Sequence, residues 1–184
     1  MPSSLKTTTA GFTYDELSIF TIGAVAYETK GGVTVTPELT TRQIEVDGVS
    51  QHHEGLDFVE RSSLSISATL IAASTATLQL LMWNDTPTGT APTQEWQTPA
   101  INRLLPSGSY ISDVRVLRRR RDGTFFGYAI PRALFTTPPV PSSGTSGDGT
   151  WAISILAVVP AASSNYTPTW SLFSTNEVPA GVMA

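Results

Sequence analysis

Few residues in this chain could do chemistry, and their spacing does not favour it. The only two histidines, His52 and His53, are followed by Glu54. Adjacent side chains on a strand point to opposite faces, so these three cannot close on one metal ion. Two histidines also give little from which to assemble a Ser-His-Asp triad. The segment reads as a solvated turn. The carboxylate pairs Asp15/Glu16 and Asp57/Glu60 show no spacing that general acid–base work requires, and they read as solvated surface. There is no cysteine, hence no disulfide, thiol nucleophile or thiolate metal site. Gly144, Gly147 and Gly149 are not followed by a helix, so they form no phosphate loop. The sequence therefore assigns no catalytic residue, no cofactor and no metal, and the expectation is a protein that is not an enzyme.

Two charged features and one neutral one remain. Arg118, Arg119, Arg120 and Arg121 are consecutive and precede Asp122-Gly123, a hairpin dipeptide. Arg118 and Arg120 should point one way, Arg119 and Arg121 the other. A nucleic-acid surface would need a wider basic field. The run instead suits pairing with carboxylates of a neighbouring subunit, or protection of a strand edge from stray pairing. Glu45 and Asp47 lie on one side of a strand together with Gln43. They read either as an ordinary exposed face or as an acidic wall. The neutral feature is the alternation from Ser63 to Leu70. Ser63, Ser65, Ser67 and Thr69 oppose Leu64, Ile66, Ala68 and Leu70. A period of two puts the apolar set in a core and leaves a small, uncharged polar row as a candidate wall.

The elements that must position these residues follow from composition and pattern. A chain of 184 residues suffices for one domain with its own core. Charged residues make up 14%, against a usual ~25%. Either much of the surface is covered by neighbours, or this is simply a Thr-rich β-protein. The net charge of −4 does not attract nucleic acid. No apolar run approaches the ~18 residues of a membrane span, and Met1 to Lys6 lacks an apolar signal core. The expectation is a soluble protein made in the cytoplasm.

Residues 1–13 read as an arm, 14–175 as one β domain and 176–184 as a tail. Strand signals run over Ile19–Tyr27, Val33–Thr36 after a Gly31-Gly32 turn, Arg42–Asp47, and Leu56–Ile71. Ser74 can cap a short helix with face Leu78, Leu81 and Met82. Asn84–Gln94 reads as a loop, as does 136–150. Tyr110–Arg121 and Thr124–Ile130 form a hairpin. Trp151–Val159 is a buried strand and Trp170–Phe173 a last edge. The fold class is mainly β: a sandwich or rolled barrel of about eight strands with one short flanking helix.

The order of these features resembles the major tail tube protein of long-tailed bacteriophages. The resemblance is carried by Thr41-Arg42-Gln43-Ile44-Glu45-Val46-Asp47-Gly48, by Ser65-Ile66-Ser67-Ala68-Thr69-Leu70 running into a helix, and by Ala129-Ile130-Pro131-Arg132-Ala133 before Trp151-Ala152-Ile153-Ser154-Ile155-Leu156-Ala157. It covers roughly residues 17–175, and its motifs are patterns rather than invariant signatures. The resemblance implies a virion protein whose partner is itself, in hexameric rings stacked into a tube. It also implies other tail proteins at the tube ends, DNA passing through without specific binding, and no membrane. Under it, strands 41–48 and 57–71 form the tube wall. Hairpin 115–128, loop 136–150 and the N-terminal arm make stacking contacts. Two other readings stay open: a capsid decoration or tail-terminator protein, and a glycan-binding β-sandwich using exposed members of Trp83, Trp96, Trp151 and Trp170.

Overall fold

The computed structural model describes residues 18–43, 57–71, 75–90, 93–99, 101–102, 104–120, 122–143, 149–160 and 168–176. Their elements are β1 (Ser18–Ile22), β2 (Val25–Tyr27), β3 (Thr29–Gln43), β4 (Asp57–Ile71), α1 (Thr75–Leu81), β5 (Thr88–Thr90), β6 (Thr93–Glu95), β7 (Ile111–Arg119), β8 (Phe125–Phe135), β9 (Val140–Ser143), β10 (Gly149–Ala157) and β11 (Ser171–Thr175). A 3₁₀ turn spans Ser107–Ser109. The described residues are mainly β, with one short helix.

Nine of the strands form one antiparallel sheet in the order β2-β1-β7-β8-β10-β4-β3, with β11 on β8 and β9 on β10. The sheet curls until β1 touches β3. Its inward side chains make one core, which includes Phe20, Leu64, Ile66, Leu70, Val114, Ile130, Phe135 and Ile155. In β4 the alternation works as the sequence requires. Leu64, Ile66 and Leu70 are at most 1% exposed, and the hydroxyl row faces outward. Helix α1 closes the core with Leu81. Its buried Thr77 hydrogen-bonds the Tyr27 phenol, which burial pushes above its ordinary pKa. The helix stops where Trp83 and Asn84 turn left-handed, and the Trp83 indole donates to the Phe135 carbonyl at 3.1 Å.

Hairpin β7–β8 turns a corner. Ile111 opposite Ala133 and Val114 opposite Ile130 all face the core. The two pairs are three positions apart, an odd step that would reverse the facing of a flat strand. The ladder runs through Ser112 opposite Arg132 and lapses at Asp113 and Pro131, and both strands swap faces there. Asp113 has φ +53°, a left-handed conformation that Asp tolerates better than most residues. Pro131 brings no N–H to the ladder. The Asp113 carbonyl accepts from Gly23 N at 3.0 Å, and its carboxylate takes two bonds from Arg115 at 2.7 and 3.2 Å. Below the corner β8 pairs with β11 over residues 125–129; above it, β8 pairs with β10 over 133–135.

Several expectations need correction. Gly31-Gly32 is not a turn between strands. Both residues have positive φ and form an irregularity inside the continuous β3, where the pairing shifts between Thr29 and Val33. The segment from Asn84 to Gln94 is not all loop, because β5 and β6 pair there as a small ribbon. Loop 136–150 contains β9, whose backbone pairs with β10 even though its sequence is polar and proline-rich. These short strands raise the count from about eight to eleven among the described residues.

At Gly127 the backbones of β7 and β8 leave no room for a side chain. A Cβ built there would sit 1.9 Å from the Val116 carbonyl oxygen, a backbone atom that cannot swing aside. Gly127→Ala is expected to cost at least about 1–3 kcal/mol, as overpacking does. Gly149→Ala, with open space around its Cβ, should stay within about 0.5 kcal/mol. Urea denaturation of the two variants checks this; equal midpoints would show that the close approach is not structural.

Candidate functional site

The outer face of β3–β4–β10 gathers the hydroxyl row into a surface. Thr34, Ser67 and Ser154 stand side by side across the three strands, and Thr36 pairs with Ser65 in the next row. Thr69 lies opposite Ala152. Ser67 is exposed, Ser65 and Thr69 are half-buried, and Ser63 is buried. Ser63 Oγ donates to Glu38 Oε2 at 3.2 Å, tying the two strands together. A shallow depression opens on this face beside the Gly31-Gly32 irregularity, lined by Lys30, Thr34, Ser67, Thr69 and Ser154 among others. Small side chains and few ionic groups make the face wettable without giving it a strong field.

Next to it, β3 has a strand neighbour on one side only among the described residues. Its 15 residues make a long open edge, interrupted by Pro37. The ribbon of β3 and β4 also runs past the core. Leu39 and Val59 fall on the side that faces inward farther along, yet they are 62% and 52% exposed. Gln43 ends β3; Glu45 and Asp47 lie outside the described residues, as do His52, His53 and Glu54.

The arginine run forms the tip of β7–β8. Arg118 and Arg119 are exposed and lie opposite Phe126 and Phe125. The Arg120 guanidinium sits 4.9 Å from the centre of the Phe126 ring, within the range of a cation–π contact. Arg121 lies outside the described residues. The turn is longer than an Asp-Gly dipeptide alone: Arg120 N donates to the Thr124 carbonyl at 2.6 Å, and Gly123 has φ +87°. Asp122 Oδ1 accepts from both Thr124 N, at 2.9 Å, and Thr124 Oγ1, at 2.7 Å. These bonds, the side-chain one foremost, hold its carboxyl below the usual range.

The indoles offer no open platform. Trp83, Trp151 and Trp170 pack against the core, and Trp170 Nε1 donates to Ser62 Oγ at 3.1 Å. Trp96 is half-buried. A glycan-stacking surface would need two or more exposed rings, and these four do not provide it. Sequence reasoning did not single out Ile101 and Leu104, which stand almost fully exposed. Isolated apolar residues among polar ones carry no periodic signal that could have found them.

No family model matches the sequence, and no curated protein matches it. A solved structure, described as the virion of a native gene transfer agent (GTA) particle, is similar with a TM-score of 0.43 and 9% identity, covering 82% of this chain and 96% of that chain. A likeness at this level assigns neither family nor function. Among the described residues, no helix is long and apolar enough to cross a membrane.

Two outcomes follow from this geometry. Ser67→Asp, on the open face, should change stability by no more than about 0.5 kcal/mol. Ser63→Asp, buried against Glu38, should lose about 1–3 kcal/mol at neutral pH and recover part of it in acid; thermal denaturation at two pH values distinguishes them. At the hairpin, Asp122 has a lowered folded pKa. Its contribution is therefore present above the unfolded value and lost as pH falls through the folded one. The Thr124 amide shift should follow that titration by NMR, and an amide that ignores it would remove the Asp122 cap from the account.

Proposed function

We propose that this chain is a structural virion protein that assembles with copies of itself, and more specifically a subunit of a phage tail tube. In this reading it catalyses nothing and holds no cofactor. Its work is done by strand edges and surfaces. The observation that carries the proposal is the β3 edge together with the overhanging β3–β4 ribbon. A 15-residue edge with no second strand neighbour among the described residues, continued by a ribbon exposing Leu39 and Val59, suits a surface completed by another molecule. A charged content of only 14% fits a subunit covered on several sides.

The hydroxyl face of β3–β4–β10 is then the tube wall. Its few charges, with an overall charge of −4, would let a polyanion such as DNA slide past without gripping it. The tip with Arg118, Arg119 and Arg120 would meet carboxylates of the next ring, where a guanidinium makes its strongest contacts. Six subunits per ring and stacking of rings through the arm and loop 136–150 complete the proposal; the arm, residues 1–13, lies outside the described residues.

Negative-stain microscopy of the purified chain at high concentration tests it. Open tubes of uniform width are expected. Closed single rings or trimers would favour a terminator or decoration protein, and a chain that stays monomeric would sink the assembly reading. Deleting residues 1–12 should leave the circular dichroism spectrum unchanged and abolish tube growth. Tubes of normal length from that variant would overturn the arm's role.

A further inference from the structure

The depression on the hydroxyl face has a definite origin. In the β3–β4 ladder Thr29 lies opposite Leu70 and Val33 opposite Ala68, so Lys30, Gly31 and Gly32 together oppose only Thr69. Extra residues on one strand bend it away from its partner. Gly31 at φ +80° and Gly32 at φ +84° make that detour, and a Cβ at Gly31 would meet nothing within 4 Å. On the other side of β4, Thr69 lies opposite Ala152, whose small side chain keeps the wall low, and Ala152 in turn pairs with Val140 of β9. The result is a shallow cup with Lys30, Thr137 and Val140 on its rim.

The lining has one chemical character. Hydroxyls come from Thr34, Ser67, Thr69, Thr137 and Ser154, Lys30 brings an ammonium, and no carboxylate or aromatic ring is among the lining residues. Lys30 is exposed and forms no ion pair among the described residues. Strands β9 and β10 carry no ionisable residue, and β4 carries none beyond Arg61, so no charge on them offsets that ammonium. Hydroxyls and an ammonium can all donate hydrogen bonds, which suits a ligand that is negative and accepts from several sides. A phosphate oxyanion meets both conditions. A sugar would lack a ring to stack on, and a cation would face an ammonium with no carboxylate beside it.

We propose that this cup is a phosphate-binding site, with Lys30 supplying the charge and Thr34, Ser67, Thr69 and Ser154 the hydroxyl donors. The phosphate is either a free ion or a phosphodiester of DNA lying on the hydroxyl face. The site itself needs no assembly, and only the second source rests on the tube-wall reading. One cation in a shallow, solvated cup makes a weak and rapidly exchanging contact, which is compatible with a polyanion moving past it.

Amide NMR of the full chain, at a concentration where it is monomeric, tests the site. Sodium phosphate, titrated against sodium chloride of equal ionic strength, should shift Gly31, Gly32, Ser67 and Thr69 saturably, with half-saturation in the low millimolar range. Lys30→Gln, at an exposed position, should keep the melting temperature and raise the half-saturation concentration at least about tenfold, while Lys30→Arg, which keeps the charge, should stay within about threefold. A short DNA duplex in the same titration separates the two sources. Shifts at these amides that Lys30→Gln abolishes assign the phosphodiester, whereas a response to phosphate without one to the duplex assigns the free ion. Shifts that chloride reproduces, or that survive Lys30→Gln unchanged, would overturn the site. Tubes formed by a chain that ignores phosphate would remove this site and leave the assembly reading standing. A chain that binds phosphate and never assembles would do the reverse.

Discussion

The fold depends on the corner at Asp113 and Pro131. A flat hairpin gives each strand one inward face along its whole length. Here both strands of β7–β8 change face at the same place, so one hairpin serves the β1/β11 side of the sheet below the corner and the β10 side above it. Strands that switch layers through a local irregularity are how stacked sheets make such corners. The cost is a non-glycine residue at φ +53°, typically on the order of 1–3 kcal/mol for a strained conformation. Asp113 is held there by the Gly23 amide and by the Arg115 fork. Because the ion pair is half-exposed, its contribution is small, and the packing of Ile111, Val114, Ile130 and Ala133 on either side does most to hold the bend.

The rest of the architecture follows from that joint. With β8 turned, β10 and β4 lie over the core, and their hydroxyl face looks outward. Among the described residues, strand β3 is left as the last member of the path, paired on one side. The same path leaves β2, β11 and β9 as short outer strands, three to five residues long. Short edges discourage uncontrolled pairing, whereas the long β3 edge invites it at one place. Pro37, in the middle of that edge, limits the registers another strand could take. An assembly built from such a unit would have its direction set by one long edge rather than by several equal ones.

The hydroxyl face and the exposed pair Ile101 and Leu104 are opposite solutions to exposure. The face is polar but nearly uncharged, so water wets it and a charged polymer finds little to hold. The pair is apolar, so water is a poor environment for it. Both are compatible with the low charge of the chain, which composition alone left divided between a covered surface and a Thr-rich β-protein.

Local pattern was enough for much of this. The period of two in Ser63–Leu70 placed Leu64, Ile66, Ala68 and Leu70 in the core and the hydroxyl row on the opposite face, where Ser63 alone is buried, against Glu38, because strand geometry ties facing to sequence parity. The Asp-Gly dipeptide marked the β7–β8 hairpin, because its turn needs a residue tolerant of positive φ. The spacing of Leu78, Leu81 and Met82 marked helix α1. What the sequence could not decide is set by contacts between distant segments. Gly31-Gly32 reads as a turn until β4 pairs across it and makes it an irregularity within one strand. The polar stretch at Val140–Ser143 becomes a strand only because β10 offers free backbone partners. The face swap at Asp113 and Pro131 requires both strands at once. Exposure of Leu39, Val59, Ile101 and Leu104 depends on where the core ends, which is a property of the folded whole. Parity and turn chemistry are encoded within a few residues, whereas edges, corners and uncovered surfaces exist only once the sheet has closed.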